Sequence, residues 1–184
     1  MKLTACATLP QRPETQVWFR AIQPQFWTTS LATAQTKTIP SRFNAGAAAS
    51  PAFELLYLAE NPMVALFEVQ ALFGTPTQPG GVFPHPRQAW ITVNVTVQLQ
   101  AVADLTDMTS TTALETSAQE LTGDWRGYQQ RGPLTSVPQH VGLAPTQRLG
   151  AALFGVPGLE GFRTFSARLP YHSTLIIFPE GRIT

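Results

Sequence analysis

The glutamate at position 68 lies in the clearest helical pattern of the sequence. The pattern predicts a helix that begins after Asn61, a good N-cap, with Pro62 in its first turn, and that ends at Gly74. The residues three and four positions away from Glu68 are all apolar: Val64, Ala65, Ala71 and Leu72. A carboxylate on an apolar face needs a cation, a hydrogen-bond donor or a chemical function. The pattern leaves two interpretations open, a structural ion pair and a catalytic carboxylate.

Four further polar residues occur in segments that suit a binding site. Arg42 lies in the predicted loop Pro-Ser-Arg-Phe-Asn-Ala-Gly, and a guanidinium suits recognition of phosphate, although a loop arginine is also typical of a solvated surface. Arg20 ends a predicted strand, where an edge charge with a packed stem is the alternative. Tyr57 lies in the run Leu-Leu-Tyr-Leu-Ala, which is also typical of a core tyrosine. Ser166 carries no signal of its own.

The order of the predicted elements decides the fold class. Aromatic, β-branched and alternating apolar residues predict strands over residues 15–20, 55–59, 90–97, 163–167 and 174–178. Besides the helix that carries Glu68, helices are predicted over 114–121 and 145–154, and residues 28–38 are predicted as a loop or a weak helix. Strands interrupted by short helices, without a regular βαβ alternation, predict an α+β fold. A length of 184 residues predicts one domain over residues 1–184.

Composition and charge argue against several functional classes. Hydrophobic residues make up 43% of the chain and charged residues 12%, which argues against a disordered chain. The net charge of +1 and the lack of a basic run argue against direct nucleic-acid binding. No apolar run reaches the roughly 18 residues that a membrane helix needs. A single cysteine, Cys6, suits a reducing compartment, so we expect a cytoplasmic protein.

Several familiar catalytic signatures are absent from the sequence. His85, His140 and His172 are widely spaced and no Cys-x-x-Cys pair occurs, so no metal site is expected. There is no Gly-x-Ser-x-Gly elbow, no P-loop and no Gly-x-Gly-x-x-Gly turn. We therefore do not expect a hydrolase of the serine-elbow type. We also do not expect a nucleotide site of the P-loop or Rossmann type.

Four segments form an ordered set that spans most of the chain, from residue 18 to residue 167. They are Trp-Phe-Arg at 18–20, Ser-Arg-Phe-Asn at 41–44, Leu-Leu-Tyr-Leu-Ala-Glu-Asn-Pro-Met-Val-Ala-Leu-Phe-Glu-Val at 55–69, and Thr-Gln-Arg-Leu-Gly at 146–150 with Phe-Arg-Thr-Phe-Ser-Ala at 162–167. The set resembles the RES family, toxins of bacterial toxin–antitoxin pairs that are named for an arginine, a glutamate and a serine. Three residues depart from the family loop: Pro40 and Ser41 replace glycines, and Phe43 replaces a tryptophan.

The resemblance implies a fold, a reaction and a partner. The fold is similar to that of ADP-ribosyltransferases, with a mixed, split sheet around an NAD cleft. The reaction cleaves the nicotinamide–ribose bond of NAD by phosphorolysis or hydrolysis. NAD is then a substrate and no true cofactor is needed, while inorganic phosphate is the co-substrate of phosphorolysis. The partner is a small antitoxin with a helix-turn-helix domain that blocks the cleft. An ADP-ribosyltransferase that modifies a protein acceptor and a non-enzymatic interaction domain of the same fold are the alternatives.

The same resemblance assigns roles to individual residues. Glu68 stabilises the positive charge that develops on the ribose and binds a ribose hydroxyl. Arg20 and Arg42 bind the pyrophosphate, or one of them binds an incoming phosphate. Tyr57 contacts the nicotinamide side, and Ser166 orients the substrate or Glu68. Two further residues of the loop complete the predicted NAD-binding set: Phe43 and Asn44.

Overall fold

The computed structural model describes residues 1–86, 88–129 and 142–179. The strands are β1 Gln11–Glu14, β2 Val17–Ile22, β3 Leu56–Ala59, β4 Leu72–Gly74, β5 Val82–Pro84, β6 Ile91–Thr96, β7 Leu99–Asp104, β8 Gly161–Phe165 and β9 Ser173–Ile177. The α-helices are α1 Pro62–Glu68, α2 Met108–Ala113, α3 Ala118–Thr122, α4 Trp125–Gln129 and α5 Pro145–Phe154. Short 3-10 helices cover Leu3–Thr8, Pro24–Thr29, Ala34–Lys37 and Gly46–Ala48.

The described strands form one large mixed sheet and a small hairpin. The large sheet has the strand order β1-β7-β8-β9-β3-β2-β6, and β4 pairs with β5 in the hairpin. Strands β7 and β8 run parallel, whereas the other neighbouring strands of the large sheet run antiparallel. Helices lie between groups of strands rather than after each strand. The prediction of an α+β fold with a mixed sheet is confirmed.

The large sheet opens between two of its inner strands. Strand β2 pairs with β6 over six consecutive residues, from Val17 to Ile22. Between β2 and β3, in contrast, the register joins the single pair Phe19 and Ala59. The junction at which a single pair joins β2 to β3 within the seven-stranded sheet is called the split.

Two apolar clusters pack α5 and α1 against the large sheet. On one face, α5 packs through Leu149 and Leu153 against Phe162 of β8 and Ile176 of β9, all fully buried. Burial of a side chain of this size stabilises the fold by about 1.5–3 kcal/mol. A separate cluster joins three apolar residues of α1 to β2 and β3: Val64, Ala65 and Phe67. Helix α1 is thereby fixed beside the split, and its last residue, Glu68, lies at the opening.

Several predicted elements are confirmed with small changes at their ends. Helix α5 has the predicted bounds, with Pro145 in its first turn. The predicted strands over 55–59, 90–97, 163–167 and 174–178 correspond to β3, β6, β8 and β9. The predicted first strand is shifted by two residues, to Val17–Ile22. Residues 28–38 contain 3-10 turns, consistent with a loop or a weak helix.

Two helix predictions are wrong in extent. The helix that starts at Asn61 ends at Glu68 instead of Gly74, because the backbone turns at Gln70 and the residues beyond it form the hairpin strand Leu72–Gly74. Of the helix predicted over 114–121, only the part from Ala118 onward is helical, in α3, and α2 ends before this range, at Ala113. The chain reverses at Glu115, which has a positive φ, and Ser117 then caps α3.

Candidate active site

A cleft of about 910 Å³ opens at the split in the sheet. Its wall is formed by β2, β3, the loop at 40–43, α1 with the turn that follows it, and the segments 122–127 and 165–168. This volume is near the upper end of the roughly 300–1,000 Å³ that is typical of small-molecule sites. The cleft is therefore the candidate binding site of the described part of the chain.

Glu68 is held at the cleft by two donors from the loop after β8. Its Oε1 accepts hydrogen bonds from Ser166 Oγ at 2.5 Å and from the backbone N–H of Ala167 at 3.0 Å. Ser166 Oγ in turn accepts from the backbone N–H groups of Arg168 and Leu169, at 3.2 and 3.0 Å. Because both acceptor positions of the hydroxyl are used, its proton is directed to Glu68. The carboxylate is oriented through Oε1, and its Oε2 has no hydrogen bond to the described residues.

A tight turn at 41–44 presents Arg42 to the cleft. The backbone N–H of Ser41 donates to the carbonyl oxygen of Asn44 at 2.8 Å and closes the turn. From α5, the Gln147 side chain donates to the carbonyl oxygen of Ser41 at 3.0 Å. Gly150 lies so close that a Cβ added there would be 1.8 Å from the carbonyl oxygen of Phe43. Helix α5 thus supports the turn from behind, and position 150 has room only for glycine.

The Tyr57 hydroxyl connects β3 to the same turn. It shares a hydrogen bond of 2.8 Å with Ser41 Oγ and accepts one of 3.2 Å from the backbone N–H of Phe43. Burial raises the pKa of the Tyr57 phenol to about 12, although these hydrogen bonds oppose the shift. The phenol is therefore neutral at physiological pH, and it links the turn to the sheet.

Two arginines of the wall are tied to backbone carbonyls. Arg42 Nη1 donates to the carbonyl oxygen of Gly123 at 2.8 Å, and Arg20 Nη1 donates to that of Ser30 at 2.7 Å. Burial lowers the pKa of both guanidinium groups, and for Arg42 the nearby Glu68 carboxylate opposes this effect. A guanidinium stays protonated in proteins, so both side chains carry a positive charge. Each keeps further N–H donors for a ligand, because a guanidinium has five.

The cleft carries more positive than negative charge. Among the described residues that line it, the arginines are Arg20, Arg42, Arg126 and Arg168, and the carboxylates are Glu68 and Asp124. Arg126 also lies over the ring of Trp125, with 5.2 Å between its Cζ and the ring centroid. An excess of guanidinium groups favours a ligand with negative phosphates.

The sequence model of the RES domain matches residues 17–182, a range that includes every part of the cleft wall. The chain belongs to the RES domain family. Its fold is similar to that of a chain in the crystal structure of the M. tuberculosis MbcT–MbcA toxin–antitoxin complex, with a TM-score of 0.62 and 16% sequence identity. The similarity covers 99% of this chain and 84% of that chain. No curated protein matches the sequence.

The RES domain places most of the predicted site residues in the cleft wall: Arg20, Arg42, Phe43, Tyr57 and Glu68. Ser166 is buried behind the wall and reaches the cleft only through its bond to Glu68. Asn44 is fully buried, and its side chain bonds to the backbone of Thr36, Phe53 and Gly46. Asn44, which the sequence predicts to bind NAD, does not line the cleft, and its side chain holds the loop in shape.

Other wall residues of the RES domain carried no signal in the sequence. Arg126, Asp124 and Arg168 lie outside the four family-like segments, and their position follows from how the segments 122–127 and 165–168 fold over the opening. Arg168 comes one residue after the segment that ends at Ala167, so its position next to that segment was the available signal.

Two further findings concern metals and membranes. The described ranges contain no group of three or more His, Cys, Asp or Glu side chains that could hold a metal ion, and His140 lies outside those ranges. No helix formed by the described residues has the length and hydrophobicity of a membrane-spanning segment.

Proposed function

We propose that this RES domain cleaves the nicotinamide–ribose bond of NAD and is the toxin of a toxin–antitoxin pair. The observation that carries the reaction is the Glu68 carboxylate, which is oriented through Oε1 while Oε2 remains without a partner among the described residues. Because Glu68 is partly exposed and lines the cleft, this oxygen is available to a ligand. A free oxygen at a cleft lined by arginines suits a ligand that contains both a cationic centre and phosphates.

The proposed chemistry follows from the electronics of NAD. The bond between ribose C1′ and the nicotinamide ring nitrogen breaks, and its electron pair moves to the nitrogen, which becomes neutral. Positive charge then develops on the ribose, and the negative charge of Glu68 stabilises it. An oxygen of inorganic phosphate or of water forms the new bond to C1′. Phosphate gives ADP-ribose phosphate, whereas water gives ADP-ribose and releases a proton.

The remaining wall residues hold the substrate in this proposal. Arg42 and Arg20 bind the pyrophosphate, because their planar N–H groups match phosphate oxygens in pairs. The other two arginines of the wall, Arg126 and Arg168, are then available to bind an incoming phosphate. Tyr57 and Phe43 shape the wall beside the turn, and Ser166 positions Glu68 rather than touching the substrate.

The proposed biological role includes a protein that blocks the cleft. The similar chain comes from a complex described as a toxin with its antitoxin. An enzyme that consumes NAD has to be restrained in the cell that makes it. We propose an antitoxin with a helix-turn-helix domain as the partner of this chain. Expression of the chain alone is expected to slow growth and lower cellular NAD, while the Glu68→Gln variant at the same level is harmless. Harmless expression of the unaltered protein contradicts the toxin role.

The reaction is tested by incubating the purified protein with NAD, with and without inorganic phosphate, and identifying products by mass spectrometry. ADP-ribose phosphate that forms only with phosphate supports phosphorolysis, and ADP-ribose in both samples supports hydrolysis. A mass increase on an added protein from a cell lysate, together with free nicotinamide, supports ADP-ribosylation of an acceptor instead. If the protein releases no nicotinamide under any of these conditions, the proposed reaction is wrong.

A further inference from the structure

The residue at position 70 has a backbone conformation that usually belongs to glycine. Helix α1 ends with two hydrogen bonds, from Gln70 N to the carbonyl oxygen of Phe67 at 3.0 Å and from Ala71 N to that of Leu66 at 2.8 Å. This pair defines a Schellman motif, in which the first residue beyond the helix takes the left-handed conformation. Here that residue is Gln70, with a φ of 60°. A side chain at such a position is disfavoured relative to glycine.

The side chain of Gln70 lies at the cleft and is free to bind a ligand. It is exposed, and it lines the cleft two residues after Glu68. No described residue forms a hydrogen bond with its amide. A strained non-glycine residue whose side chain is not used by the fold, at the wall of a binding site, suggests a role toward the ligand.

The chemistry of the wall indicates which part of a ligand Gln70 suits. Arginine side chains only donate hydrogen bonds, and carboxylates only accept them. Tyr57 and Ser41 already share a hydrogen bond. Among the described residues of the wall, Gln70 provides the one side-chain amide, which has a carbonyl acceptor and an NH₂ donor in one plane. Its natural complement is another primary amide.

We propose that Gln70 recognises the carboxamide of the nicotinamide ring and so selects the substrate; this inference rests on the proposed NAD cleavage. The two amides pair through two hydrogen bonds, one in each direction. A carboxamide bound next to Glu68 places the bond to be broken near the carboxylate. Gln70 is a specificity-determining residue in this scheme, and it takes no part in bond cleavage.

The test compares NAD with its 3-acetylpyridine analogue, in which a methyl group replaces the NH₂ of the carboxamide. Gln70→Gly removes the side chain and suits the left-handed backbone, so its melting temperature is expected to equal or exceed that of the unaltered protein. Its kcat/KM for NAD is expected to fall about five- to tenfold, the factor of a neutral hydrogen-bond pair. The preference for NAD over the analogue is expected to fall toward one.

Glu115→Gly is the matched control. Glu115 has a φ of 49° and ends α2 in the same motif, with hydrogen bonds from Glu115 N to the carbonyl oxygen of Thr112 and from Thr116 N to that of Thr111. It does not line the cleft. This variant is expected to change thermal stability in the same direction as Gln70→Gly and to leave both kcat/KM values unchanged.

A titration with free nicotinamide, followed by nuclear magnetic resonance, separates the two proposals. If NAD is cleaved but Gln70→Gly keeps the full preference for NAD, the role of Gln70 is refuted and the reaction stands. If NAD is not cleaved but nicotinamide binds and binding weakens in Gln70→Gly, the reaction fails and the role of Gln70 stands. If neither cleavage nor nicotinamide binding is detected, both are refuted.

Discussion

Replacing Glu68 with glutamine separates the charge of the carboxylate from its hydrogen bonds. The amide oxygen of glutamine can occupy the Oε1 position and accept from Ser166 Oγ and Ala167 N, as Glu68 does. Its NH₂ group then takes the place of Oε2, which has no hydrogen bond to the described residues. We therefore expect the Glu68→Gln variant to keep the fold and to lose the negative charge at the cleft.

The effect on stability is modest and can be estimated. A hydrogen bond to a charged group contributes about 1.5–3 kcal/mol and a neutral one about 0.5–1.5 kcal/mol. Glu68 is partly exposed, so solvent reduces the difference, and two weakened bonds lower the free energy of unfolding by about 1–2 kcal/mol. In a chain of this size, each kcal/mol moves the melting temperature by roughly 2–4 °C. The expected decrease is about 2–8 °C.

The effect on catalysis is expected to be much larger. Loss of one well-placed electrostatic contact to the transition state typically lowers the rate by about 10²–10³. Single-turnover cleavage of NAD and the melting temperature are measured on the same sample. Glu160→Gln is the control, since Glu160 Oε2 accepts from the backbone N–H groups of Ala101, at 2.7 Å, and Gln100. Glu160 does not line the cleft, so this variant loses a similar amount of stability and keeps its activity.

Two results would refute this mechanism. If Glu68→Gln cleaves NAD at the rate of the unaltered protein, negative charge at this position is not required. If its melting temperature falls by far more than estimated while the folded fraction stays fully active, Glu68 is a structural residue whose loss breaks a buried network. A large loss of activity in Glu160→Gln would show that weakened hydrogen bonds alone disturb the cleft.

Three further predictions concern the support of the cleft. Arg42→Ala is expected to raise the KM for NAD about tenfold with little change in kcat, because a phosphate contact acts equally on ground and transition states; steady-state kinetics with a kcat loss instead would contradict this. Absorbance at 295 nm should show a tyrosine with a pKa of about 12 that is missing in Tyr57→Phe. Since this pKa is raised above the unfolded value, its contribution to stability is present below about pH 10 and is lost as the pH rises toward 12. Gly150→Ala places a Cβ against the Phe43 carbonyl and should lower both stability and NAD affinity. Gly158→Ala is the control: nothing lies within 4 Å of the added Cβ, but the φ of 78° disfavours a side chain, so this variant should lose stability and keep its NAD affinity.

Elements with local signals could be predicted from the sequence. Helix α5 has a proline in its first turn and an apolar stripe that includes Leu149 and Leu153, and both signals lie within the ten residues of the helix. Strand β6 alternates apolar and polar residues from Ile91 to Thr96. Neither element depends on a distant partner for its type. Local propensity and tertiary packing agree in both cases.

The end of α1 could not be predicted in this way. Leu72 and Phe73 continue the apolar helical pattern, and Gly74 is a typical helix stop, so local signals favour the longer helix. In the structure these residues pair with Val82–Pro84, on the other side of the proline- and glycine-rich loop. That pairing is non-local, and it competes successfully with helix propensity. Two of the four apolar neighbours that first singled out Glu68 therefore lie outside the helix.

The sequence also could not separate residues that line the cleft from residues that support it. Ser166 and Asn44 are polar residues in family-like segments, as Arg42 is, but both are buried and bonded to protein groups. Whether a polar side chain is satisfied by the protein depends on groups from distant parts of the chain, such as the carbonyl oxygen of Phe53 and the carboxylate of Glu68. A sequence pattern does not contain that information.

Two residues of the cleft wall, two positions apart in the sequence, are unfavourable for local structure. Glu68 places a carboxylate in the last turn of a helix, where the helix dipole disfavours negative charge by about 0.3–1 kcal/mol. Gln70 places a side chain in a conformation that suits glycine. A sequence that optimised stability alone would have a neutral or basic residue at 68 and glycine at 70. Violations of local preference that coincide at one wall of one cleft are typical of functional sites. The fold stabilises the Glu68 carboxylate through hydrogen bonds from Ser166 and Ala167. The side chain of Gln70 would bind the nicotinamide carboxamide of the proposed substrate.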